Sequence, residues 1–323
     1  LLDGPNPHGR IDVISGAALA QAGSLWDMQI QPSAWTILGA SPQEELGDAL
    51  AAGDFNGDGI DDLAAGVAGG HVTALDNQGK VYLWYGGPDR LSDSVTDLRS
   101  DQADCTIHGA QRNGGIGHAV QFMQLLGGPE KELVVGAPYV SPRSGDPEED
   151  KKRYQWGAIY IFGGQPDLPP IVDLAVRPAD VTIYGTTQEA LVGYQLAGGK
   201  ILSENFDDLL TSGYWPSRSK ELAAEGVAVI LPTERMNYTA NAEIHLATPD
   251  QAIRIWGGNK QELIGPGLAV GDIDGDNSGD VLIGAPAAMN SMSIPFPYTG
   301  ILYLFYNDRI RMELYNKSGW LIY

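Results

Sequence analysis

The chain has 323 residues and a formal net charge of −21, from 41 acidic and 20 basic residues. A surface this acidic repels polyanions and anionic lipid, so no nucleic-acid partner and no membrane insertion are expected. The 42 glycines and 20 prolines argue against a helical protein and for short strands joined by tight turns.

Taken in chain order, an apolar run that ends in glycine recurs. It reads Asp12-Val13-Ile14-Ser15-Gly16, then Asp62 to Gly66, Glu132 to Gly136, Asp208 to Gly213 and Asp280 to Gly284. The glycines fall 50, 70, 77 and 71 residues apart. A second landmark keeps the same period: Trp35-Thr36-Ile37-Leu38-Gly39, Cys105-Thr106-Ile107-His108-Gly109, Val181-Thr182-Ile183-Tyr184-Gly185 and Arg254-Ile255-Trp256-Gly257. The residues Trp320-Leu321-Ile322-Tyr323 open another copy.

Each unit reads as four strands. The first is typified by Asp48 to Gly53 and the second is the glycine-ended run. The third is Val81 to Gly86, echoed by Ala158 to Gly163, Val227 to Ile230 and Ile301 to Phe305, and the fourth is the Thr-Ile-x-Gly strand. Units of about 70 residues with near-continuous apolar strands predict an all-β chain, a β-propeller of four-stranded antiparallel blades. Solenoid repeats are usually shorter, about 20–45 residues. The expected organisation is a single domain over 1–323, with units at approximately 1–44, 45–114, 115–190, 191–262 and 263–323. Unit one is expected to lack only its first strand. An incomplete first unit and a last one that stops mid-motif point to part of a larger propeller, because open strand edges are avoided.

Two acidic loops sit between first and second strands. Asp54 to Asp62 reads D-F-N-G-D-G-I-D-D, and Asp272 to Asp280 reads D-I-D-G-D-N-S-G-D. Both place side-chain oxygens at positions 1, 3, 5 and 9, the pattern a hard cation such as Ca²⁺ requires. An EF-hand would need a Glu at position 12 and flanking helices. Position 12 is Ala65 or Ile283, and the flanks read as strands. A metal-free polar hairpin is the plain alternative, but carboxylates so crowded repel one another without a cation.

With Leu50 to Gly66 and Leu268 to Pro286 the chain resembles the FG-GAP repeat family, which includes integrin α-subunit heads and glycosylphosphatidylinositol-specific phospholipase D. The stretch Leu133 to Pro138 matches only the second half of the motif. The resemblance implies a propeller, seven-bladed in its best-known members, with Ca²⁺ in the first-to-second-strand hairpins and ligand binding on the opposite face. Carried onto this sequence, it implies two Ca²⁺ sites. Asp54, Asn56, Asp58 and Asp62 ligate through side chains in one and Ile60 through its carbonyl. Asp272, Asp274, Asp276 and Asp280 ligate in the other, with Ser278 through its carbonyl. The third unit has Gln124 to Glu132 at this place, the fourth has Lys200 and Leu202 at positions 1 and 3, and the first has an interrupted Asp3, Asn6 and Asp12. None of these three is expected to hold calcium.

No catalytic constellation stands out. The five histidines are scattered, no phosphate-binding glycine loop leads into a helix, and there is no nucleophile elbow. The lone cysteine, Cys105, forms no intrachain disulfide and takes a strand position that other copies fill with Trp35 or Val181, so it reads as a buried small hydrophobe. Connections between second and third strands (17–33, 67–79, 139–155, 214–225 and 287–299) vary most and are the expected contact surfaces. The reading is a calcium-stabilised, secreted or cell-surface, non-catalytic module that binds a protein or glycan ligand in adhesion. The alternatives are a self-assembling subunit of an extracellular structure, or the accessory propeller of a secreted hydrolase.

Overall fold

The computed structural model describes residues 8–308 apart from 22–26, 29–30, 32, 42–43, 70–76, 92–93, 144–145, 147–154, 167, 187–190, 214–224, 237, 247–250, 259–261 and 289–299. Asn237 and Asn316, the acceptor positions of the Asn-x-Thr/Ser sequons Asn237-Tyr238-Thr239 and Asn316-Lys317-Ser318, the closing motif Trp320–Tyr323 and the apolar loop from Met289 to Tyr298 lie outside the described residues.

The chain is all-β and forms five sheets. The first holds β1 (Arg10–Val13) and β2 (Trp35–Leu38), and a six-residue helix, α1 (Gly16–Gln21), lies in their connection. The second sheet begins with β3 (Ala49–Gly53), β4 (Asp62–Val67) and β5 (Lys80–Trp84). Before closing with β7 (Cys105–His108), the chain makes a detour, β6 (Ser94–Asp97). The third follows the same course with β8 (Ala119–Met123), β9 (Glu132–Ala137), β10 (Ala158–Phe162), a detour β11 (Ile171–Asp173), and β12 (Val181–Tyr184). The fourth has β13 (Gln195–Gly199), β14 (Asp208–Gly213), β15 (Val227–Leu231), a detour β16 (Ala242–His245), and β17 (Ile253–Trp256). The fifth has β18 (Gly267–Gly271), β19 (Asp280–Ala285) and β20 (Ile301–Phe305).

Within each sheet the main strands run antiparallel in chain order. The detours do something else. β6 pairs in parallel with β2 of the first sheet, β11 with β7 of the second, and β16 with β12 of the third. Among the described residues units two, three and four thus each lend an extra strand to the outer edge of the preceding blade, where it caps an otherwise open ladder. A leucine anchors each one: Leu98, Leu174 and Leu246 are buried and donate backbone N–H groups to the carbonyls of Leu38, His108 and Tyr184.

The blades stack through alternating side chains. Along β10, Ala158, Tyr160 and Phe162 pack with Phe55, Val81 and Leu83 of the second sheet. The intervening Ile159 and Ile161 face the fourth, with Leu209, Val227 and Val229. The fourth meets the fifth through Leu210, Ala228 and Ile230 against Val281 and Ile283, and the first meets the second through Trp35 and Ile37 against Tyr82 and Trp84. Both faces of an inner blade are therefore buried, which is why these strands read as unbroken apolar runs. The inner strands β3, β8, β13 and β18 are neighbours in succession. No hydrogen-bonded ladder joins the first sheet to the last among the described residues.

The structure corrects the alignment of unit one. β1 contains Asp12 and Val13, assigned above to a second strand, but it pairs with β2 as β5 pairs with β7. Gly9 bridges Leu46 just as Gly79, Gly157 and Gly226 bridge Ile116, Val192 and Ile264. β1 is a third strand, so the described part of unit one holds only third and fourth strands. Two consequences follow. Asp12 belongs to no acidic loop, its carboxylate instead accepting from Ser33, Thr36 and Arg10. The stretch 17–33 joins third to fourth strand rather than second to third. No described helix is long and apolar enough to cross a membrane.

Candidate metal centre

The two acidic loops are the β3–β4 and β18–β19 hairpins, so strands flank both. Their backbones have the same shape. Gly57 and Gly59 sit at φ of 78° and 84°, and Gly275 and Asn277 at 84° and 66°. Asn277 takes the left-handed position as the residue that best tolerates it after glycine.

Position 1 organises each loop. Asp54 Oδ1 accepts from the N–H groups of Gly57 (2.8 Å) and Asp58 (3.1 Å), and Oδ2 from Gly59 (2.9 Å). Asp272 repeats this with Gly275 (2.7 Å), Asp276 (3.0 Å) and Asn277 (2.9 Å). Position 5 turns back on position 7, Asp58 accepting from Ile60 and Asp276 from Ser278, both at 2.8 Å. Asp272, Asp274 and Asp276 bring one carboxylate oxygen each within 4.8 Å of one another, all exposed, and are the one such cluster among the described residues. The Asp274 carboxyl is pushed above its ordinary value by desolvation and by the charges of Asp276, Asp280 and Asp272. In the first loop Asn56 replaces one carboxylate and donates to Asp58 (3.1 Å).

Position 9 behaves differently. Asp62 and Asp280 are 1% and 0% exposed. Asp62 Oδ2 accepts from Phe55 and Asn56, and Oδ1 from Gly86 on the far side of β5. Asp280 accepts from Ile273 and from Asn307, beyond β20. The fourth blade, whose hairpin lacks the acidic pattern, has the same latch, and the third has the hairpin half of it. Asp208 accepts from Leu202, Ser203 and Thr233, and Glu132 from Leu125. Burial raises the carboxyls of Asp62, Glu132 and Asp208, against the N–H groups that pull them down. A position-9 acid thus ties the hairpin to the body of its blade whether or not the loop carries further acids. Each carboxylate oxygen has two lone pairs, so this tie leaves room for one more partner.

The hairpins share one face and are joined across blades. Lys131 N–H donates to Asp54 O, Asp207 to Gln124 O, and Gly279 to Lys200 O, at 2.9, 2.8 and 2.8 Å. Of the other residues considered above, Cys105 is fully buried and burial drives its thiol up to about 11. His108 lies half-buried in β7, paired across from Lys80 of β5.

Repeated antiparallel blades with their first-to-second-strand hairpins along one face define a propeller-type repeat protein. The FG-GAP repeat profile matches residues 46–84 and 265–305, the first three strands of the two blades that carry the acidic loops. The chain carries FG-GAP repeats. It is 30% identical over 173 residues to the phosphatidylinositol-glycan-specific phospholipase D of Homo sapiens, covering 53% of this chain and 19% of that protein. It is 26% identical over 252 residues to integrin alpha pat-2 of Caenorhabditis briggsae, covering 74% and 18%. To integrin alpha-PS2 of Drosophila melanogaster it is 27% identical over 196 residues, covering 58% and 12%. The match spans less than a fifth of the length of each of these three relatives.

Proposed function

We propose that this chain is a calcium-stabilised, non-catalytic binding module of a secreted or cell-surface protein, with a protein or glycan ligand. The observation that carries the reading is the convergence of Asp272, Asp274 and Asp276 in a hairpin whose backbone shape the β3–β4 hairpin repeats. Hard oxygen donors fit Ca²⁺, and a divalent cation relieves the repulsion that raises the Asp274 carboxyl. Asp54, Asn56, Asp58 and Asp62 would hold one ion with the Ile60 carbonyl. Asp272, Asp274, Asp276 and Asp280 would hold the other with the Ser278 carbonyl. The ligands of each ion come from a single hairpin, so the ions stabilise the fold by mass action rather than activate a substrate. The integrin relatives support the adhesive role and the extracellular setting.

The test is a thermal melt with Ca²⁺ and then with excess chelator, together with calorimetric titration of the stripped protein. Two sites and a marked loss of stability on chelation are expected. An unchanged melt with no heat of binding would reduce both loops to polar turns. The phospholipase relative keeps a second reading in view, the accessory propeller of a hydrolase. Turnover of phosphoesters or glycans by the isolated chain would overturn the non-catalytic assignment.

A further inference from the structure

On the face opposite the acidic hairpins, two connections of the third blade form a cleft of about 270 Å³. One is the β7–β8 connection, with Gln111 and Arg112. The other is the β9–β10 connection, with Tyr139, Ser141, Arg143 and Gln155. The two are braced against each other. Gln111 Nε2–H donates to the Ser141 carbonyl (3.0 Å), Ser141 N–H donates back to Gln111 Oε1 (2.5 Å), and Gln155 N–H donates to Ser141 Oγ (2.9 Å). The brace holds Arg112 and Arg143 on one wall system.

Both arginines are exposed, and neither forms an ion pair or hydrogen bond among the described residues. Arg10, Lys80, Arg90 and Arg99 are paired with Asp12, Glu44, Asp104 and Asp97. Two unspent guanidinium groups in a concave site concentrate positive potential locally and draw in an anionic group. A guanidinium's planar fork matches a carboxylate with two parallel hydrogen bonds. The one aromatic ring in the cleft, Tyr139, is met edge-on by His118 at 5.9 Å and 78°. With two guanidinium groups against one tyrosine ring, the lining offers charge and hydrogen bonding more than stacking, and this favours a peptide carboxylate over a sugar ring.

We propose that the Arg112–Arg143 cleft binds an Asp or Glu side chain of an acidic peptide segment in a protein ligand. This rests on the reading of the chain as a binding module and supplies its ligand chemistry. The experiment is NMR of the arginine Nε–H resonances in the full, calcium-loaded chain. The probe is acetyl-Gly-Asp-Gly-Glu-Gly-amide, with the Asn/Gln version, glucuronate and sodium sulfate as separate titrations. Saturable shifts of both arginines with the acidic peptide alone are expected, weakened tenfold or more in R112Q/R143Q. R112K, which keeps the charge but loses the fork, should be intermediate.

Absence of shifts, or equal shifts with the Asn/Gln peptide, would overturn the proposal. Tighter binding of glucuronate would assign the site to acidic sugars, and comparable binding of sulfate would leave a non-selective anion site. Binding that appears only after Glu148, Glu149 and Asp150 are replaced by Ser would mean that the arginines serve the chain's own acids. Failure of calcium binding would leave these shifts unchanged, so the two readings fail separately.

Discussion

A Cβ placed on Gly66 would lie 1.9 Å from the carbonyl oxygen of Gly117. One residue belongs to β4 and the other lies two residues before β8, so two blades meet here backbone to backbone. Gly136 and Gly193 repeat the contact one blade on, at 2.0 Å. Gly66→Ala and Gly136→Ala should therefore each cost about 3 kcal/mol or more, at or above the upper end for overpacking, because the obstructing atoms are main chain. Gly284 holds the corresponding place in β19 and meets nothing closer than 3.5 Å. Gly284→Ala should be nearly neutral. Denaturant melts of the three variants check the ordering.

The position-9 latch predicts a second pattern. Asp208→Ala would leave three backbone N–H groups, those of Leu202, Ser203 and Thr233, without their acceptor. Unpaired buried donors cost about 1–3 kcal/mol each, so a loss of about 3 kcal/mol or more is expected in a blade that holds no proposed calcium. A loss below 1 kcal/mol would show that the latch carries little of the hairpin's stability.

The same acids give a pH dependence. Burial raises the folded carboxyls of Asp208 and Glu132 above their ordinary values. Their protonated forms are favoured in the fold. That contribution is complete below the unfolded value near pH 4 and is lost as pH rises through the raised folded values. Glu44 works in the opposite sense. Burial pushes it up, but hydrogen bonds from Lys80 and Tyr82 outweigh this and hold it low, so its stabilisation is lost as pH falls through its lowered value. Melts of wild type, Asp208→Asn and Glu44→Gln in chelator, from pH 3 to 7, separate the two. Asp208→Asn should flatten the limb above pH 4, and Glu44→Gln the limb below it.

If the hairpins hold calcium as proposed, each can be silenced alone. Asp274→Asn should remove one of two sites and leave the other, and Asp58→Asn should do the reverse, with a loss of affinity at the altered loop of about tenfold or more, since ligand charge tunes such sites. Calorimetric stoichiometry falling from two to one in each variant is the expected reading. Two intact sites in either variant would remove that residue from the ligand set.

Cys105 should be inert in the native protein. Its side chain is fully buried and its thiol is raised to about 11, so the reactive thiolate is scarce at pH 8. A thiol reagent should modify it only after denaturation. Rapid labelling of the native chain would contradict this burial.

The strands of the later units were legible because their residues are apolar on both faces, and a two-sided interior leaves a continuous run. The clustering of Asp272, Asp274 and Asp276 was legible from side-chain oxygens at alternate places of a tight loop. Unit one misled because Asp12-Val13-Ile14-Ser15-Gly16 carries the acid and glycine of a second strand. The telling mark was Gly9, which holds the place of Gly79, Gly157 and Gly226 before each third strand. β6, β11 and β16 escaped notice because they are short, and Val95 and Ile171 are 64% and 66% exposed. Only the repeated Asp97-Leu98 and Asp173-Leu174 pairs, at matching distances before the fourth strand, hinted at them. The backbone latch at Asp62 and Asp280 could not be read from spacing, since an acid that holds N–H groups and an acid that holds a cation look alike in sequence.

The parallel fifth strands put the folding unit out of phase with the repeat. A blade cut out at its sequence boundaries would leave behind the strand that guards its own outer edge, and would carry away the one that guards its predecessor. Excised repeats should therefore be sticky, half-finished objects. To travel with its borrowed guard, an excised blade has to run on through the first three strands of the following unit to just past Leu98, Leu174 or Leu246, and so carries most of its successor with it.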